Sequence, residues 1–164
     1  MLCAEGSYKS QKTIIRALQR TSTESERTKI VFLIAFIRHA SPALLTELEE
    51  VLASTDNHLD PLLLAYGALA SETTVESEQR IVTFLLNRIE EALNSTAILT
   101  YYIHALGNTG SPFALDTIIS FHNHSDLEVQ LASISAMRKL VHSPLVEETL
   151  HSICLLYTSP SPRD

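Results

Sequence analysis

Apolar positions along the chain recur at helical spacing, and nowhere do they alternate with polar ones as a half-buried strand would. Ile14, Ile15 and Leu18 mark one short apolar face. Ile81, Phe84, Leu85, Ile89 and Leu93 mark a longer one, interrupted by Arg88. Leu127, Leu131, Ile134 and Met137 or Val141 mark a third, with Ser133, Ser135, Arg138 and Lys139 off it. Helix starts are punctuated with equal clarity. Ser41-Pro42, Asp60-Pro61, Ser111-Pro112 and Ser143-Pro144 each pair a capping side chain with a proline at the first helical position. There an oxygen accepts an otherwise orphaned N–H, and proline loses nothing by lacking one. Thr23 with Glu26, Thr73 with Glu76 and Ser125 with Glu128 fit a capping box. Helix ends are marked near Gly67, Gly107 and Gly110.

These signals predict nine helices, over 8–20, 24–39, 42–54, 60–71, 75–93, 96–107, 112–122, 126–141 and 144–153. The connections are short, so successive helices pack antiparallel. A small residue beside a large apolar one recurs near helix ends at Ala35, Ala65, Ala105 and Ala136, in steps of 30, 40 and 31 residues. That is the period of helical-repeat arrays, in which no repeat can hide its apolar face without a neighbour. The expected architecture is all-α: a right-handed, two-layered solenoid over residues 1–153, HEAT-like in character. Residues 154–164, with the sequence Cys-Leu-Leu-Tyr-Thr-Ser-Pro-Ser-Pro-Arg-Asp, break the rhythm. They read as a non-native, adapter-like tail outside the fold, which would make the chain a fragment of a longer protein.

Composition narrows the function classes. Of 164 residues, 45% are hydrophobic and 19% charged, too apolar for a disordered chain. Four glycines and no tryptophan argue against a sandwich or barrel. A net charge of −7 lacks the positive footprint that nucleic acid or an anionic membrane surface requires. No apolar run reaches the length of a membrane span, and residues 1–6 do not read as a signal peptide. The two cysteines, Cys3 and Cys154, suggest no pairing.

Residues 105–112, Ala-Leu-Gly-Asn-Thr-Gly-Ser-Pro, followed by helices over 113–121 and 126–140, form the most specific block. It resembles the ALGNxGxP turn and helix pair of the helical domain in vitellogenin-type large lipid-transfer proteins. Upstream, Tyr66-Gly67 within 62–69 resembles that family's preceding helix. The resemblance spans 62–153, with a weaker extension over 20–53. It implies a superhelix that wraps and braces a lipid cavity, within a protein whose β-barrel precedes it and whose lipid-holding sheets follow it. The partners it implies are the remainder of that protein and, through it, lipid; the location it implies is secretory, extracellular or in the endoplasmic reticulum lumen. The loop 71–77 lacks the cysteines many members carry there, which sets a disulfide in doubt. The alternative reading is a cytoplasmic HEAT- or armadillo-like scaffold that presents its concave face to protein partners.

No residue set reads as a catalytic, cofactor or metal site, and the chain is read as a non-enzyme. There is no Gly-rich phosphate loop, no HExxH and no GxSxG. His122 and His124 stand at a spacing that could serve zinc but read as loop histidines. His39, His104, His142 and His151 lie near predicted helix ends, where the dipole favours a cation. Glu47, Glu49, Glu50, Glu90 and Glu91 read as solvated faces. Tyr101 and Tyr102 sit together in an apolar helix, where a buried tyrosine finds a hydrogen-bond partner in the core; a ligand-facing role is the alternative. Asn94-Ser95-Thr96 and Asn123-His124-Ser125 are acceptor triplets for N-glycosylation at Asn94 and Asn123.

Overall fold

The computed structural model describes residues 8–54, 60–140 and 143–158. Among them the chain is all-helical, with no strand. Nine α-helices follow one another: α1 (Tyr8–Arg20), α2 (Glu24–Ile34), α3 (Pro42–Ser54), α4 (Asp60–Ala68), α5 (Val75–Ala92), α6 (Thr96–Thr109), α7 (Leu115–Ser120), α8 (Leu127–Ala136) and α9 (Pro144–Thr158). Short 3-10 turns at Leu69–Glu72, Pro112–Ala114 and Met137–Lys139 tighten the connections from α4, into α7 and from α8. α9 runs past position 153, where the sequence predicts its end.

The helices form two layers. α2, α4, α6 and α8 stack against one another, while α1, α3 and α5 pack beside and behind them. Two glycines set the closeness of the stack. A Cβ on Gly67 would lie 2.1 Å from the carbonyl oxygen of Ala105, and one on Gly107 would lie 2.5 Å from the Cα of Ala136. Gly67 and Gly107 do lie near helix ends, as their sequence context suggests, but their role is packing rather than capping. They sit inside α4 and α6, where only a missing side chain lets the next backbone approach. Gly110, by contrast, does end α6, in the left-handed conformation at φ 64°.

One continuous core runs through the stack. Leu45, Leu48, Leu62, Tyr66, Ile81, Leu85, Leu99, Ile103, Leu106 and Ile118 are wholly buried. Each aliphatic side chain so placed contributes roughly 1.5–3 kcal/mol of burial free energy. The apolar face expected of α8 is corrected. Its buried positions are Val129, Ala132, Ser133 and Ala136, while Leu127 and Leu131 are exposed. Close approach to α6 admits only small residues on that side, and the buried Ser133 hydroxyl donates to the Ile118 carbonyl at 2.6 Å. Leu93, expected on the α5 face, is likewise exposed.

α2 ends at Ile34 rather than near position 39. The chain turns at Ala35 and Phe36, and Ile37 and Ala40 then dip into the core. The buried side chain of Gln11 clamps this corner, donating to the His39 carbonyl at 3.2 Å and accepting from the Ser41 N–H at 3.0 Å. The His39 N–H donates to the Glu72 carbonyl, with His39 held at φ 57°. Three tertiary hydrogen bonds thus outweigh the helical continuation that the apolar run suggests.

Candidate functional site

The even-numbered layer carries two features that a structural domain can use: an open apolar face and a cross-braced edge. On the open face, Phe32 and Phe36 lie one helical turn apart with rings 4.9 Å between centroids, and both are exposed. Between α6 and α8 runs a groove of about 510 Å³. Ala97, Thr100, Tyr101 and His104 line it from α6, and Glu128, Leu131, Ala132 and Ser135 from α8. Gly107 meets Ala136 near both C-terminal ends while the groove lies toward the N-terminal ends, so α6 and α8 run in the same direction. Burial holds the His104 imidazole below its ordinary pKa, and the neighbouring Arg138 guanidinium adds to the shift.

The edge is held by Asn108. Its amide donates to the Leu64 carbonyl on α4 at 3.1 Å, and its side-chain oxygen accepts from Arg138 at 2.7 Å. Its backbone carbonyl accepts from Lys139 Nζ at 2.8 Å. One residue therefore ties the middle of α4, the end of α6 and the 3-10 turn that follows α8. Arg138 and Lys139 also stand where backbone carbonyls accumulate partial negative charge. Burial, then the adjacent Arg138, lowers the Lys139 pKa.

A second brace links the layers. Glu49 on α3 accepts from the Tyr66 hydroxyl of α4 at 2.6 Å. Arg80 of α5 grips both of its oxygens, Nε at 2.9 Å and a terminal nitrogen at 2.7 Å. Arg80 also reaches the Pro42 carbonyl and the Thr46 hydroxyl. Such a bidentate, charge-assisted pair is stronger than a neutral one. Burial, then the hydrogen bond to Glu49, raises the Tyr66 pKa far above its ordinary value, so the phenol stays protonated. The hydrogen bond to Glu49 raises the Arg80 pKa. Two turns on, Arg88 repeats the device, bonding the Tyr102 hydroxyl at 3.4 Å and Glu91 at 2.6 Å. The arginine that interrupts the α5 stripe is thus the partner Tyr102 requires.

A family model described as the vitellogenin TPR domain matches residues 1–155. The chain belongs to this family. No curated protein and no solved structure matches it. At the level of the family, it is a helical domain of the large lipid-transfer type. Among the described residues of this vitellogenin-type domain, no helix is long and apolar enough to cross a membrane.

The residues singled out in the sequence fall at defined places in the vitellogenin-type domain. Asn94 lies in the exposed turn before α6, and Asn123 in the exposed turn before α8. His122 Nδ1 contacts the Ile119 carbonyl at 2.6 Å, and His124 Nδ1 accepts from the Asp126 N–H at 3.1 Å. Both rings thus serve their own turn. His104 stands within α6 and His151 within α9, neither at a helix end; His142 and Cys3 lie outside the described residues. Of the carboxylates expected on solvated faces, Glu49 is instead partly buried in its ion pair, and Glu91 is paired with Arg88. Arg80 and the outward-facing leucines of α8 escaped the sequence reading. An arginine one helical register from the α5 core stripe was the available signal for the first.

Proposed function

We propose that this chain is part of the helical domain of a vitellogenin-like large lipid-transfer protein, and that it serves lipid transport as a structural brace for the lipid cavity. The family match over residues 1–155 carries this reading. Exposed apolar side chains on the even-numbered helices support it: Phe32 and Phe36 at the end of α2, and Leu127 and Leu131 on α8. Apolar surface of this kind marks contact with another body. The brace acts by packing. Its polar groups are spent on holding helices together, and it performs no chemistry of its own. Its partners are the remainder of the parent protein and, through it, lipid. The location is secretory, outside the cell or in the endoplasmic reticulum lumen.

The test is lipid analysis of the protein that contains this domain, captured from its source with an antibody against residues 8–158. Phospholipid or neutral lipid in stoichiometric excess over a control capture is the expected result. A lipid-free protein recovered from the cytosol with tightly associated protein partners favours the scaffold reading instead.

A further inference from the structure

α6 and α8 run in one direction. Gly67 meets Ala105 and Gly107 meets Ala136 near the C-terminal ends, while Ala97 and Glu128 share the groove near the N-terminal ends. The turn that precedes α6 and the turn that precedes α8 therefore lie on the same edge of the stack, opposite the edge tied by Asn108. These two turns hold Asn94 and Asn123, each two residues before a hydroxyl and with no intervening proline. The helices they precede lie side by side, at a spacing of roughly 8–10 Å.

Both asparagines are exposed, and neither side-chain amide makes a hydrogen bond to another described residue. The turns close without them. Ser95 N–H donates to the Ala92 carbonyl at 2.9 Å, and His124 N–H to the Phe121 carbonyl at 3.1 Å. The hydroxyl-bearing Thr96 and Ser125 are exposed too. A bulky, hydrated substituent at either amide would thus displace no packing and break no bond. Asn108 offers the contrast: it is half-buried, fully used, and followed by Thr109 and Gly110, so it stands in no acceptor triplet.

We propose that Asn94 and Asn123 are both N-glycosylated, and that the two glycans stand together on the edge where α6 and α8 begin. This rests on the secretory reading above. In the lumen, the amide nitrogen forms a bond to the anomeric carbon of an oligosaccharide carried on a polyisoprenyl pyrophosphate. The anomeric C–O bond breaks, the pyrophosphate carrier leaves, and one amide proton passes to a base of the transferase. The consequence is spatial. A glycosylated edge stays in solvent, so the rest of the particle meets the domain through the open even-layer face or the edge tied by Asn108.

Peptide mapping of the secreted parent protein tests this, with enzymatic glycan release in heavy-oxygen water to convert each formerly modified asparagine to labelled aspartate. Label at both Asn94 and Asn123 is expected. Thr96→Ala and Ser125→Ala should each remove one glycan while circular dichroism and secretion persist. A secreted protein with either asparagine unmodified overturns the proposal and leaves the lipid-transfer reading standing. A parent found in the cytosol by fractionation, with both asparagines bare, overturns the two together.

Discussion

Gly107 and Gly110 stand three residues apart at the end of α6, and the same substitution should separate their roles. Asparagine tolerates the left-handed conformation of Gly110, so Gly110→Asn should change unfolding free energy by no more than about 0.5 kcal/mol. At Gly107 any Cβ would meet the Ala136 backbone, so Gly107→Asn should cost at least the roughly 1–3 kcal/mol of overpacking. Urea titration with far-ultraviolet circular dichroism reads both, and equal losses would show that the close approach is not what Gly107 provides. His104 gives a pH signature. Its folded-state pKa lies below the ordinary 6.5, so the unfolded chain binds the proton more readily. Stability should hold above 6.5 and fall as pH drops from there through the lowered folded value. His104→Gln should remove part of that fall in a urea series across this range; an unchanged pH profile would contradict it. Neither role could be read from residue type. Glycine near a helix end signals a cap, and only the neighbouring backbone distinguishes a cap from a point of approach.

Helix existence followed from pattern and punctuation; helix ends and faces depended on what lies alongside. Thr23 accepts from the Glu26 N–H at 3.4 Å, and Ser111 from the Phe113 N–H at 3.3 Å, both as cap chemistry predicts. At two other starts the cap moves one residue on. Thr74 serves α5 in place of Thr73, and Asp126 serves α8 in place of Ser125. Adjacent capping residues are chemically equivalent in a sequence, and tertiary position selects between them. Leu127, Leu131 and Ser133 exchanged faces on α8 for a related reason, while Met137 is buried and Ser135, Arg138 and Lys139 are exposed as the pattern predicts. Periodicity favours the larger leucines as core, whereas contact at glycine-to-alanine distance demands the small residues. The Asn108 brace belongs to this scale. Asn108→Ala should lower stability by about 2 kcal/mol through loss of its bonds to Leu64 and Arg138. It should also raise hydrogen exchange jointly within α4 and at the C-terminal ends of α6 and α8. Faster exchange confined to α6 would mean that the three helices are held independently.

At the scale of the molecule, the repeat of small residues at Ala65, Ala105 and Ala136 carried the architecture. Each is buried in the stack, and the steps between them are the steps from one even-numbered helix to the next. The functional surface was less legible because it consists of residues that resemble core. Phe32, Leu127 and Leu131 satisfy every local rule for burial and are exposed. Their exposure becomes visible only once the interior is seen to be full. Leu131 also lines the groove between α6 and α8, and that groove is where a brace would meet what it supports. The most direct test places a photo-crosslinking amino acid at position 131 in the intact parent protein, followed by mass spectrometry of the adducts. Crosslinks from Leu131 to a segment of the same protein outside the helical domain are the predicted result. A side chain that captures only solvent, or only separate protein partners, would contradict the assignment of this groove to a lipid-cavity brace.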